Sequence, residues 1–356
     1  MGGLRTPVAL VLLVVLSGFA FAGQSDPVVR AIEKGDYPAA IELSSKLIVR
    51  PDISRRDRSV ALAQRAYALV WTSNSAEAEK DIGDALTIAP DKDARGKVFS
   101  TAEQAFYSRA EYFNDQQKWA EAVANYTAAL KYDFDDPGMH AARAKAYLLN
   151  RQPDAAIDDF DIAINADGSF PEYFLNRGGA YEMKLDFARA ISNYNDGLGV
   201  DPRDSVILGY RGRAYALTGN YQLARRDLEK ALLEEPEDTS SLLWLHIVRM
   251  RTGQNDISWL KKKMAKTNTR RWPAPVLKYF SGKMSAEGML NIALTSADTA
   301  KMHQRCDGWF YLGEEALARK DVAHARTLFK KTVSGCDAVD YEWIPARMEL
   351  AHIADW

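Results

Sequence analysis

A small residue recurs every 34 positions through the middle of this chain, as Ala122, Ala156, Ala190 and Ala224. A period of that length constrains the fold strongly, because it means that one supersecondary unit is used again and again. The neighbours keep the same step. A bulky residue follows four positions later (Tyr126, Phe160, Tyr194, Leu228), and a small one three further on (Ala129, Ala163, Gly197, Ala231). Twelve positions before each alanine stands another small residue (Ala110, Ala144, Gly178, Gly212), and nine before stands an aromatic (Phe113, Tyr147, Tyr181, Tyr215). Prolines mark the joints at Pro137, Pro171, Pro202 and Pro236.

The spacing predicts two antiparallel helices of about 12–14 residues per unit. Small residues let the two backbones approach, and the aromatic fills the gap that the next hairpin leaves. The prolines are expected to end each second helix, since they lack a backbone donor and clash with the preceding turn. One hairpin cannot bury its apolar stripe alone, so the units must stack. The predicted fold is therefore all-α, a superhelix, or solenoid, of helical hairpins. A globular all-α bundle is the alternative, and the constant period argues against it.

Less regular copies flank these four. Ala66, Ala78, Ile82, Ala85 and Pro90 form one unit, set off from the next by a step of 44 from Ala78 to Ala122. The extra residues are assigned to a longer linker near 91–101. Residues 23–58 are read as N-terminal capping helices, with Gly35-Asp36-Tyr37 and Ala40 resembling half a unit. The array proper spans 59–236. Residues 237–305 are read as degenerate hairpins. Residues 306–356 form a last unit, around Trp309, Leu312-Gly313, Ala325 and Phe329, followed by a capping helix from Trp343.

These residue types at this spacing resemble the tetratricopeptide repeat. Phe106, Phe174 and Leu208 stand where that family usually has a first-helix Trp. The resemblance implies that the superhelix is right-handed, with a concave groove lined by first helices, used to bind polypeptides rather than for catalysis. Counting units from Glu103, Pro137, Pro171 and Ser205, it implies that the groove shows Tyr107, Glu111, Lys145, Glu172, Asn176, Glu182, Tyr210 and Arg213. An Asn side chain both donates and accepts, which suits a peptide backbone. Lys145 and Arg213 suit acidic groups. The full basic set that clamps a C-terminal carboxylate in some family members is not reproduced.

The C-terminal third also resembles the bacterial envelope adaptors of the new-lipoprotein-I type. That resemblance rests on Trp259-Leu260-Lys261, Trp272-Pro273-Ala274-Pro275-Val276-Leu277, Gly282-Lys283-Met284-Ser285 and Phe310-Tyr311-Leu312-Gly313-Glu314. It implies a partner among cell-wall hydrolases or an envelope protease.

The first 22 residues differ from the rest. Arg5 precedes an apolar run from Val8 to Phe19, and Ala20-Phe21-Ala22 offers a small-x-small cleavage site. The run falls short of the roughly 20 residues a spanning helix needs. It reads as a signal peptide, with an uncleaved N-terminal anchor as the alternative, and the expected location is the periplasm or outside the cell. No Cys stands at the cut to carry a lipid, so no stable membrane anchor is expected after cleavage. The net charge of −2 gives no general drive toward nucleic acid.

Two cysteines, Cys306 and Cys336, lie at what the period makes the start and the end of one hairpin, where antiparallel helices meet. In an exported chain that pattern predicts a disulfide, worth roughly 3–4 kcal/mol by loop entropy. Two small buried thiols are the alternative.

The chemistry-bearing patterns are sparse. The five histidines include no pair spaced for joint ligation on one helix face and no His-Glu-x-x-His. Gly282-Lys283 lacks the upstream glycine of a phosphate loop. Asp133, Asp135 and Asp136, like Asp158, Asp159 and Asp161, do not continue into a calcium loop and read as solvated faces and helix ends. The Lys261-Lys262-Lys263, Lys266, Arg270 and Arg271 cluster is either a surface for an anionic partner or a solvated helix face. No metal, cofactor or catalytic group is therefore expected. The function read from the sequence is a polypeptide-binding adaptor or scaffold of the bacterial envelope. The narrower alternative is an accessory factor of cell-wall hydrolases or an envelope protease, and the third is a hydrolase with an unrecognised site.

Overall fold

The computed structural model describes residues 26–264, 273–294, 299–336 and 342–354, and the stretch read above as a signal peptide lies outside them. Among the described residues all regular structure is helical. The chain divides into two compact units, Met1–Asn150 and Arg151–Trp356.

The first unit holds α1 (Pro27–Glu33), α2 (Tyr37–Ile48), α3 (Arg55–Trp71), α4 (Ser75–Ile88), α5 (Lys92–Asp115), α6 (Trp119–Ala129) and α7 (Pro137–Leu149). Neighbours in sequence pack as hairpins, α3 with α4 and α5 with α6, and the first helices α3 and α5 lie side by side. The residues assigned to a linker near 91–101 are instead the opening turns of α5. Asp91 caps that helix, its carboxylate accepting from the Ala94 amide at 2.9 Å, and Ala94 and Val98 are fully buried. Two apolar positions four apart on a capped segment continue a helix rather than break it.

The second unit holds α8 (Pro153–Ala166), α9 (Pro171–Met183), α10 (Phe187–Val200), α11 (Ser205–Leu217), α12 (Tyr221–Glu234), α13 (Thr239–Arg251), α14 (Ile257–Met264), α15 (Ala274–Phe280), α16 (Ala286–Leu294), α17 (Thr299–Ala318), α18 (Val322–Gly335) and α19 (Trp343–Ala354). Here α9–α10, α11–α12 and α17–α18 are the hairpins. The first helices α11, α13 and α17 pack in succession. Because α17 starts at Thr299, the predicted boundary at 306 cuts through a helix, and Cys306 lies inside it.

The small positions have the predicted cause. A Cβ on Gly212 would stand 2.7 Å from Leu228 Cγ, and one on Gly313 would stand 2.5 Å from the Phe329 ring. Each is the small residue facing the bulky one of the same unit. The prolines act differently from expectation. Pro137 and Pro171 are the first residues of α7 and α9. A residue at that position needs no backbone donor and gains from a fixed φ, so proline opens these helices. Pro202 and Pro236 lie in the turns before α11 and α13.

Two further elements keep the 34-residue step. Arg177 Nε donates to Asn193 Oδ1 at 2.6 Å, and Arg211 Nε to Asp227 Oδ2 at 2.6 Å, each partner 16 positions on and in the other helix of the hairpin. Arg65 reaches Asp81 in the same way at 2.7 Å. The turns inside the hairpins place Gln117 (φ 57°), Arg151 (φ 59°), Leu185 (φ 58°), Gly219 (φ 77°) and Gly253 (φ 73°) in the left-handed region. There the chain reverses just past a helix end.

Candidate functional site

In the first unit the structure brings Tyr107 and Glu111, both on α5, onto one partner, Tyr126 of α6. The Tyr107 and Tyr126 rings meet edge to face at 5.9 Å, and the Tyr126 hydroxyl donates to the Glu111 carboxylate. Tyr126 is buried, so burial and then Glu111 raise its pKa far above the usual phenol range. Tyr107 is half-buried, and burial, aided by Glu111, Asp136 and Glu103, pushes its hydroxyl up to about 12.

Glu103 belongs with them, although the family register did not single it out. Burial, reinforced by Asp133 and Asp136, pushes its carboxyl up to about 7. Its signal in the sequence is a place one helical turn before Tyr107 on the same face. Lys145 on α7 is exposed. Asp136, read as a helix end, caps α7, accepting from the Gly138 and Met139 amides at 2.8 and 3.1 Å. The α5 face therefore combines a tyrosine edge with carboxylates held partly out of water.

In the second unit the assigned residues separate into two groups. Glu172 is exposed at the start of α9, and the Asn176 amide donates to the Glu172 carbonyl at 2.8 Å, within its own helix. Glu182 and Arg213 do not line an open groove. They are 1% and 3% exposed, and Arg213 donates into the Glu182 carboxylate between α9 and α11. The Tyr194 hydroxyl donates to Glu182 at 2.9 Å, and the Arg213 guanidinium lies 4.6 Å from the centre of the Tyr210 ring. The correction has a plain cause. A charged pair on adjacent first helices satisfies itself once the helices pack, and an aromatic floor completes the enclosure. Burial raises the Glu182 pKa even against the pull of Arg213 and Tyr194.

A second polar centre was missed entirely. Arg251, the last residue of α13, reaches Glu314 of α17 at 2.9 Å and Glu349 of α19 at 2.8 Å. Glu342, just ahead of α19, accepts from the Tyr311 hydroxyl at 2.6 Å. Burial pushes Glu314 up to about 7 and Glu342 up to about 8. The available signal was a carboxylate in an otherwise apolar stretch, Phe310-Tyr311-Leu312-Gly313-Glu314.

The other candidates resolve as follows. Cys306 and Cys336 have Cα atoms 6.0 Å apart, within the span of a disulfide. His246 is buried, with Nδ1 2.7 Å from Asp256 and its ring 4.6 Å from that of Phe280, so it packs as a core histidine held by a carboxylate. Of the basic cluster, Lys266, Arg270 and Arg271 lie outside the described residues. Lys261, Lys262 and Lys263 close α14, with Lys263 5.9 Å from the Trp259 ring centre. Among the described residues, no group of three His, Cys, Asp or Glu side chains is placed to hold a metal ion, and no helix is long and apolar enough to cross a membrane.

The tetratricopeptide repeat family model matches residues 107–172 and 175–240. With the hairpin geometry above, residues 107–172 and 175–240 carry tetratricopeptide repeats. Among solved structures it is similar to a tetratricopeptide repeat protein from Parabacteroides merdae, at 18% identity and TM-score 0.44, over 83% of this chain and 98% of that one. It is also similar to YrrB, described as a tetratricopeptide repeat protein with an unusual peptide-binding site, at 17% identity and TM-score 0.40, over 57% of this chain and 97% of that one. A third is PilW, described as a widely conserved type IV pilus biogenesis factor, at 17% identity and TM-score 0.42, over 71% and 98%.

Proposed function

We propose that this chain is an exported polypeptide-binding adaptor, and that the α5–α7 face of the first unit is where a partner segment docks. The observation that carries this reading is the cluster of Tyr107, Glu111 and Glu103. A half-buried tyrosine offers a rigid apolar edge, and carboxylates held beside it gain strength for a cationic partner because water is partly excluded. The match of residues 107–172 and 175–240 to the tetratricopeptide repeat supports the same use. The partner segment on this reading carries Lys or Arg next to an apolar residue.

Export is supported by the apolar run from Val8 to Phe19 ahead of Ala20-Phe21-Ala22, and it fits the placement of Cys306 and Cys336 at a distance a disulfide would span in an oxidising compartment. The resemblance of the C-terminal third to new-lipoprotein-I adaptors favours wall hydrolases or an envelope protease as partners. The test is capture of partners from envelope extract by the tagged full chain. Tyr107→Ala and Glu111→Lys should each remove the same bound proteins, whereas Leu233→Asp on the second helix α12 should leave them. Partners that survive both α5 variants would refute the docking face. N-terminal sequencing of the exported protein should begin at Gly23.

A further inference from the structure

The turn between α12 and α13 carries charge that the chain itself does not use. Glu235 and Glu237 are exposed there, and neither has an ion pair among the described residues. Beside them is a pocket of about 370 Å³, in the range of small-ligand sites. Its walls are this turn, the start of α13, and the first turns of α11, with Val206, Gly209 and Tyr210. Of the residues that the repeat register assigns to the groove, it takes in Tyr210 alone.

Polar atoms converge on the floor at Gly209. Ser241 is 2% exposed, yet its hydroxyl has no hydrogen-bond partner among the described residues. That oxygen lies 2.9 Å from the point where a Cβ on Gly209 would stand, and Asp238 Oδ2 lies 3.9 Å from the same point. Leaving a buried hydroxyl unpaired is costly, and a polar ligand atom in this gap would satisfy it.

The charge of the pocket sets the sign of that ligand. Helix N-termini by themselves attract anions. These two are already served. Asp204 accepts from the Val206 and Ile207 amides, each at 2.9 Å, and Asp238 from the Ser240 and Ser241 amides at 2.9 and 3.3 Å. Glu235, Glu237 and Asp238 then set three carboxylates on the lining against roughly half a positive charge from each helix end. Arg213, beside the Tyr210 ring, is spent on Glu182. Val206, 52% exposed, and Tyr210 add apolar wall to the negative mouth.

We propose that this pocket binds a small free alkylammonium compound. The ammonium donates to Ser241 Oγ and to the Asp238 carboxylate, with Glu235 and Glu237 at the mouth, and the aliphatic stem lies against Val206 and Tyr210. The site belongs to the second unit and is independent of the α5–α7 docking face.

The test is a nuclear magnetic resonance titration of the full chain, labelled at valine and leucine methyls, with n-butylammonium. The Val206 methyl signals should shift and saturate, whereas n-butanol and butyrate should leave them in place. Asp238→Asn keeps a helix cap, since Asn serves there as Asp does, and should weaken binding about tenfold or more. Gly209→Ala puts a methyl in the gap and should abolish binding. Ser241→Ala should also weaken it, yet melt no lower than the unaltered chain, because the lost hydroxyl bonds nothing. If Gly209→Ala does not fold, Asp238→Asn decides the matter. An absent shift, equal shifts with butyrate, or undiminished binding by Asp238→Asn would each overturn the proposal. So would an acetylated and amidated Gly-Lys-Gly peptide that binds more tightly than n-butylammonium, because the ligand would then be a polypeptide side chain.

Discussion

Arg213 on α11 donates into the carboxylate of Glu182 on α9, and both side chains lie inside the wall between adjacent hairpins. Removing one partner leaves the other buried without its counter-charge. Arg213→Ala should therefore destabilise the second unit by about 3–5 kcal/mol. Replacing both by apolar residues, Glu182→Leu with Arg213→Met, should recover most of that loss. Urea titrations of the three proteins check this. An Arg213→Ala chain as stable as the unaltered one would mean that the pair contributes nothing to the wall.

The polar centre around α19 makes stability depend on pH. Glu342 faces Tyr311, Asp307 and Glu314 from α17 and Arg213 and Tyr210 from α11. Its folded pKa, pushed up to about 8, exceeds that of a carboxyl in the unfolded chain. The folded state thus binds the extra proton, so the protonated form contributes stability that is full below about pH 4.3 and is lost as pH rises through 8. Glu314, pushed up to about 7, acts in the same direction. The thermal midpoint should fall between pH 5.5 and 8.5, by about 2–4 °C for each kcal/mol lost. Glu342→Gln, which fixes a neutral side chain, should flatten the profile. An unchanged slope in that variant would remove Glu342 from the account.

The turn within each hairpin stores a conformational cost. Gln117 adopts a φ of 57°, where Gly219 three repeats on adopts 77°. A side chain in the left-handed region costs roughly 1 kcal/mol. Gln117→Gly should stabilise the first unit by somewhat less, because glycine also frees the unfolded chain. Gly219→Ala should destabilise the second by about 1 kcal/mol. Thermal melts of the two variants should shift in opposite directions, and shifts of the same sign would contradict the account.

The cysteine pair is tested by chemistry. In protein from the oxidising compartment, alkylation under denaturing, non-reducing conditions should find no free thiol. Cys306→Ser with Cys336→Ser should lower stability by roughly 3–4 kcal/mol if loop entropy governs the effect. Two reactive thiols in the exported protein would show that the pair is reduced.

The hairpins were legible in the sequence because the packing that makes them repeats, and repetition turns a contact into a period. Ala122, Ala156, Ala190 and Ala224 lie fully buried at one place in successive hairpins. The step of 44 was misread as a linker. Nothing in a count of residues separates ten extra in a loop from ten extra in a helix, and the buried Ala94 and Val98 decide it. Glu182 and Arg213 were misplaced for another reason. A family register gives the direction of a side chain, but whether that direction meets solvent depends on what packs over it. The centre at Arg251, Glu314, Glu342 and Glu349 draws on segments remote in sequence, so the one local signal, the carboxylate of Glu314 after an apolar run, could not name its partners. The arginine step from Arg177 to Arg211 was visible at the same period and passed over, because charged residues are first read as surface.

The central claim is that a partner polypeptide lies along the α5–α7 face. Site-directed photo-cross-linking tests it most directly, with a benzophenone amino acid placed at Tyr107, at Lys145 and at Leu233 in separate full-length chains in living cells. The account predicts one shared cross-linked partner at Tyr107 and Lys145, and none at Leu233. Cross-links confined to Leu233, or equal at all three positions, would contradict it.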